Sequence, residues 1–249
     1  MASRPFDPMK ELQNAFQVLT KNWILALPTG IGALVSTAFF VFIVAATIAS
    51  IAGAGIVAGF HRHAAVAIAG IGGLIFVLGG LVIALLFMLA HATVMGAAEN
   101  VWNGQPADLS AGLATAMSRL PALSGLFLVA IVAAIICGVL VIALGLGLVL
   151  ALALGFFWMY ALPAIIVGNQ GTLEALGTSY RLVRANLGPS LTAFFGIFIV
   201  TIIGEIVIRL FHFVPPLVVV AAFFVGGLTY AYAALVAVRF YDLLRGAPA

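Results

Sequence analysis

The chain has 249 residues, of which 65% are hydrophobic and only 7% charged, and its mean hydropathy is +1.31. A water-soluble domain could not carry that composition on its surface, so the chain reads as an integral membrane protein. Its net charge of +3 comes from Lys and Arg that form no basic run, which argues against nucleic acid as a partner, and the lone Cys137 excludes a disulfide framework or a thiolate metal cluster.

The first 22 residues carry polar and acidic groups, and the apolar run beyond Trp23 far exceeds the core of a signal peptide, so the first span is expected to stay in the mature protein. Within that polar start, Met9, Leu12, Phe16 and Leu19 recur at helical spacing and predict an amphipathic helix over 8–20. A first span follows from about Trp23 to Ser50 and a second from about Ala67 to Ala97, with the triplet "HRH" of His61 to His63 between them. Leu113, Met117 and Leu120 repeat the early spacing 101 residues on and predict a short helix over 110–120. The apolar block from Leu123 to Val167 suits two spans if the chain turns at "LGLG", Leu144 to Gly147, where glycine reaches positive φ cheaply. In "TLEALGTSYRLVRAN", Leu173, Leu176, Tyr180 and Val183 give a third amphipathic helix over 172–184, with Thr172 as N-cap, Glu174 at its positive end and Arg181 and Arg184 at its negative end. Its spacing lies 164 residues after the first copy, which aligns Asn186 with Asn22. The last two spans run from about Pro189 to Phe211 and from about Pro216 to Val238.

The expected fold is therefore all-α and integral to the membrane, a single domain over 1–249 with six transmembrane helices. Each pair of spans follows one amphipathic helix lying in the cytoplasmic interface, which divides the chain into units of 7–99, 106–168 and 171–242. Phe16, Met117 and Tyr180 are expected to be buried against the bundle or the headgroups. With six spans, Arg4, Lys10, Lys21, Arg119, Arg181, Arg184, Arg239 and Arg245 share one side, and only Arg62 and Arg209 fall on the other. That asymmetry predicts that both termini are cytoplasmic.

Residues 161–191, "ALPAIIVGNQGTLEALGTSYRLVRANLGPSL", carry a further pattern: Leu162 and Pro163 at a span end, then Glu174, Ala175, Leu176, Ser179, Arg181, Leu182, Val183, Arg184 and Asn186. This pattern resembles the membrane domain of bacterial glycerophosphoryl diester phosphodiesterases and related six-span inner-membrane proteins. No soluble catalytic domain follows Val238, so the resemblance implies a membrane module of that kind without the hydrolase activity.

Charges inside apolar segments are costly and mark candidate sites. Glu205 and Arg209 stand i, i+4 on the fifth span, the favourable order for a helical ion pair, and are expected to bond each other and to face the protein. His61, His63 and His212 fall on the same side and are weak metal candidates if they converge with Glu205, since no HExxH or Cys/His cluster accompanies them. His91 and Glu99 share a helix face, compatible with a proton relay but more simply with a bundle histidine and an interfacial carboxylate. Gly72, Gly73, Gly79 and Gly80 in the second span, and Gly226 with Gly227 in the sixth, are expected to permit close helix approach. Phosphate loops, nucleophile elbows and paired catalytic carboxylates are missing. We therefore expect a non-enzymatic protein with no cofactor, a scaffold, assembly factor or accessory subunit meeting the lipid bilayer and a membrane-protein partner or a second copy. The alternative is a transporter or channel-like protein for a small or lipidic solute.

Overall fold

The computed structural model describes the backbone of residues 6–58, 62–211 and 213–246, and the side chains of 44–75, 143–144 and 215 only in part. Among the described residues all regular structure is helical. Six stretches are long and apolar enough to cross a membrane: Trp23–Ile43, Phe76–Trp102, Leu120–Ile142, Gly147–Ile166, Leu187–Leu210 and Pro216–Arg245. The protein is thus a polytopic α-helical membrane protein.

Three short helices stand before the first, third and fifth of these stretches. α1 (Pro8–Lys21) starts at Asp7, whose carboxylate accepts from the N–H groups of Met9 and Lys10 at 3.1 and 3.3 Å. After a short 3₁₀ turn (Trp23–Leu25) come the two longest helices, α2 (Ala26–Ala58) and α3 (Arg62–Trp102). At 33 and 41 residues they measure about 50 and 60 Å, more than the roughly 30 Å of hydrocarbon they must cross. α4 (Leu109–Ser118) is capped as α1 is, by Asp108 accepting from Ser110 and Ala111 N–H at 2.9 and 3.0 Å. Hydrogen bonds from the Ser110 hydroxyl and the Ala111 N–H hold the Asp108 carboxyl below the usual aspartate range.

α5 (Leu120–Leu144) and α6 (Gly147–Trp158) form the expected hairpin, turning at Gly145 with φ of 68°. A Cβ on Gly147 would strike the Cys137 carbonyl, so the residue after the turn must be small. The fourth span then breaks before α7 (Ala161–Ile166), where Pro163 has no N–H to offer the preceding turn.

α8 (Thr172–Ala185) covers that break. Its Ser179, fully buried, donates to the Phe157 carbonyl at 2.7 Å and accepts from the Tyr160 N–H at 3.0 Å. Thr172 is not the N-cap: Gly171 holds that position, and the Thr172 hydroxyl instead donates to the Ala122 carbonyl of α5 at 2.9 Å. The reason is proximity, because α5 approaches so closely that a Cβ on Gly125 would collide with Thr172.

α9 (Leu187–Leu210) follows, then α10 (Pro215–Ala221), a π-helical turn (Ala222–Gly226) and α11 (Gly227–Arg245), which together make the sixth span. The π turn lies beside α2, where a Cβ on Gly30 would sit 2.8 Å from the Phe223 carbonyl and one on Gly227 would sit 2.9 Å from Gly30 Cα. α11 is the centre of the bundle, with Ala231, Ala234, Leu235, Val236, Val238 and Phe240 buried. Its far end meets α1 through an ion pair of 2.7 Å between Arg239 and Glu11, so both described chain ends lie at one end of the bundle.

The three short helices agree in register more closely than their large apolar residues suggested. Their N-cap residues Asp7, Asp108 and Gly171 keep the 101- and 164-residue offsets. So do the residues packed into the bundle, Ala15, Ala116 and Ser179, each with 0% exposure. The next residues, Phe16, Met117 and Tyr180, are 61, 47 and 46% exposed, so of the two expected burial sites, bundle or headgroups, the bundle is not the one. Small residues let these helices lie flat on their neighbours, as where a Cβ on Gly112 of α4 would collide with the Thr93 carbonyl of α3. α1 and α8 also end alike: the side-chain amides of Asn22 and Asn186 donate to the Val18 and Leu182 carbonyls at 3.0 and 3.1 Å and cap the helix as the chain turns into the next one. α4 lacks that asparagine and stops earlier, at Arg119.

Candidate functional site

Glu205 and Arg209 lie on the last third of α9, about 27 and 33 Å along it from Leu187 at the standard rise. Both line a cleft of about 900 Å³ between α2, α3, α9 and the π turn of the sixth span. Ser36 and Thr37 of α2 and Tyr230 of α11 add hydroxyl groups to it, and Phe40, Ile83 and Phe87 add apolar walls. The π turn contributes Ala222 and Gly226, small residues that leave the space open. Such turns occur often at functional positions in helices.

The two charges do not form the expected pair. Among the described residues the ion pairs are Glu11 with Arg239 and Asp242 with Arg245, at 2.7 and 2.8 Å. Glu205 instead lies close to Tyr230 of α11, which lines the same cleft. A helical i, i+4 spacing brings two side chains to one face but leaves each free to take a better partner on a neighbouring helix. Tyr230 is itself fixed by packing, its ring edge-on to Phe87 at 4.8 Å and 83°. The Ser36 hydroxyl bonds back to Gly32 in its own helix at 2.7 Å. The cleft thus holds one acidic and one basic side chain, one turn apart, with neither in an ion pair.

His61 and His212 lie outside the described residues, and so does the side chain of His63. His91 is inside the bundle, on a separate cavity of about 290 Å³ with Met95, Met159 and Thr201. Its Nδ1 has no hydrogen-bond partner. Glu99, two turns along α3, belongs to a different group with Asp242 and Arg245, so the two do not touch and a direct relay is ruled out by about 12 Å of helix.

That second group closes the opposite end of the bundle. Arg239 bonds Glu11 and lies 4.9 Å from the Trp102 ring centre, while the Trp102 N–H donates to the Leu235 carbonyl at 3.2 Å. Every strong interaction here is internal, which suits a structural clamp. On α8, Glu174, Arg181 and Arg184 are exposed, Arg181 donating to Thr178 at 3.2 Å. Tyr180 leans on Phe157 at 5.3 Å, and Asn186 serves as the cap described above.

Sequence reasoning found Glu205 and Arg209 but missed Tyr230, Ser36, Phe40 and Phe87. A signal was present for Tyr230, three residues after the glycine pair that interrupts the sixth span. Phe40 and Phe87 had none, being two aromatic residues among nineteen Phe in apolar runs. Compared with known proteins, the chain matches no family model, no curated protein and no solved structure.

Proposed function

We propose that this is a non-enzymatic bacterial inner-membrane protein that holds a lipidic solute in the cleft between α2, α3, α9 and the sixth span. The carrying observation is that two opposite charges on one face of α9 open into a cleft with apolar walls, and neither forms an ion pair with a described residue. Unpaired intramembrane charge is expensive unless water or a ligand meets it. An amphiphile satisfies both halves of such a site, its head meeting the charges and its tail the walls. α1, α4 and α8 would then rest in the cytoplasmic interface with Phe16, Met117 and Tyr180 toward the lipid, as the three-unit arrangement requires. Both termini would be cytoplasmic, and reporter fusions after Ala249 and at His61 to His63 check that orientation. The resemblance of residues 161–191 to phosphodiesterase membrane domains supports a membrane module of this kind.

Purification from native membranes in mild detergent, followed by mass spectrometry of what co-purifies, tests the proposal. A Cβ on Gly80 meets nothing within 4 Å, so Gly80→Phe should fill the cleft without strain. The wild type should retain an amphiphile that the variant loses. Equal retention by both would refute a role for the cleft.

A second reading, that of scaffold or accessory subunit, is favoured by the α5–α6 hairpin. It presents Ile135, Leu148 and Val149 at 61, 65 and 66% exposure and reaches 90% at Ile142 near its tip. A stoichiometric co-purifying protein lost on polar substitution at Ile135 and Val149 would support it.

A further inference from the structure

Resting on the cleft reading above, we infer that the site takes a singly charged amphiphilic cation, its ammonium head at Glu205 and its apolar body along Phe40 and Phe87. The order of the charges along α9 carries this. Glu205 lies about 27 Å from the start of α9 and Arg209 one turn further out, at about 33 Å, against roughly 30 Å of hydrocarbon. Arg209 therefore reaches the headgroup level, where a long side chain snorkels and lipid phosphates neutralise it. Glu205 sits deeper, below the reach of those phosphates, and among the described residues no cation lies within ion-pair distance of it. A zwitterionic lipid has the opposite order, phosphate below and ammonium outside, so it fits these two side chains badly. An anionic head would stop at Arg209, at the headgroup level, and be repelled from the Glu205 carboxylate below it.

The wall chemistry agrees. Phe40, Phe87 and Tyr230 line the same cleft as the carboxylate. Aromatic faces attract ammonium groups, and they do so more strongly where water is excluded. Tyr230 lies close to Glu205 in the cleft. A carboxylate with rings beside it and aliphatic surface around it is complementary to an alkylammonium. Arg209 at the mouth disfavours a second positive centre, which limits the ligand to one charge.

Three photoreactive probes with the same dodecyl chain and different heads, trimethylammonium, sulfate and maltoside, distinguish the possibilities. Each is added in trace amount to the full-length protein in maltoside micelles. Labelling of the Phe40 and Phe87 segments is read by peptide mass spectrometry as a ratio to labelling at Ile142, which is 90% exposed and reports the micelle. The ammonium probe should exceed the maltoside probe by about tenfold or more in this ratio, as one charge-assisted contact implies. Glu205→Gln should abolish the excess, Arg209→Met should keep it, and Gly80→Phe should lower all three probes. Equal labelling by all heads, preference for sulfate, or loss of the excess in Arg209→Met would overturn the cation inference while leaving an amphiphile cleft. No cleft labelling by any probe would overturn the cleft itself. Should Glu205→Gln fail to fold, the comparison of heads on the wild type still decides.

Discussion

Replacing Ser179 with alanine removes one oxygen atom and should cost more than any surface change in this protein. That oxygen donates to the Phe157 carbonyl at 2.7 Å and accepts from the Tyr160 N–H at 3.0 Å, in a position with no solvent exposure. Both backbone groups flank the break between α6 and α7, where the regular helical bonding is interrupted. Tyr160 is buried as well, its hydroxyl 3.4 Å from Ser190. A buried backbone group left without a partner costs about 1–3 kcal/mol, so two would cost about 2–6 kcal/mol, and relaxation of the break should hold the loss to about 2–4 kcal/mol. Alanine fits the space, so overpacking does not contribute. Reversible unfolding in mixed micelles measures the loss, and amide exchange at Tyr160 should accelerate in parallel. A loss under about 0.5 kcal/mol with unchanged exchange would show that the Ser179 bridge does not hold the break, and the reasoning would fail.

Gly112→Ala should detach α4 from α3, because its Cβ would collide with the Thr93 carbonyl and sit 2.9 Å from Ala97 N, both rigid backbone. A loss of about 1–3 kcal/mol is expected, with cysteine-pair crosslinking between the two helices as the readout. A double-mutant cycle on Glu11→Gln and Arg239→Met should give a coupling of about 1–3 kcal/mol, reduced by partial exposure of the pair, and additive losses would deny the 2.7 Å contact any energetic role. For Asp108 the sign follows from a lowered folded-state pKa: the cap's contribution is present above the unfolded value and is lost as pH falls through the folded one. Protection of the Ser110 and Ala111 amides, taken relative to the intrinsic exchange rate, should therefore fall on acidification below the ordinary aspartate range and stay constant at higher pH, while in Asp108→Asn it should not depend on pH.

What the sequence determined by itself is what depends on local composition and period. Runs of about 20 apolar residues must become membrane helices because lipid offers their backbone no partner, so the six spans, the Gly145 turn and the three short helices were legible. The offsets linking the short helices were legible too. Which side of each helix meets the bundle was not. In water a large apolar face marks the packed side, but in a membrane it can as well mark the lipid side, and Phe16, Met117 and Tyr180 lie outward while Ala15, Ala116 and Ser179 pack inward. Glu205 and Arg209 were conspicuous as charges, yet they form no ion pair with each other, and α11 brings Tyr230 close to Glu205. Thr172 likewise looked like a cap until α5 came close enough to take its hydroxyl. Only the tertiary structure could choose these partners, since a polar group in a membrane bundle bonds whatever neighbour the packing of small residues brings within reach, and sequence distance does not measure that.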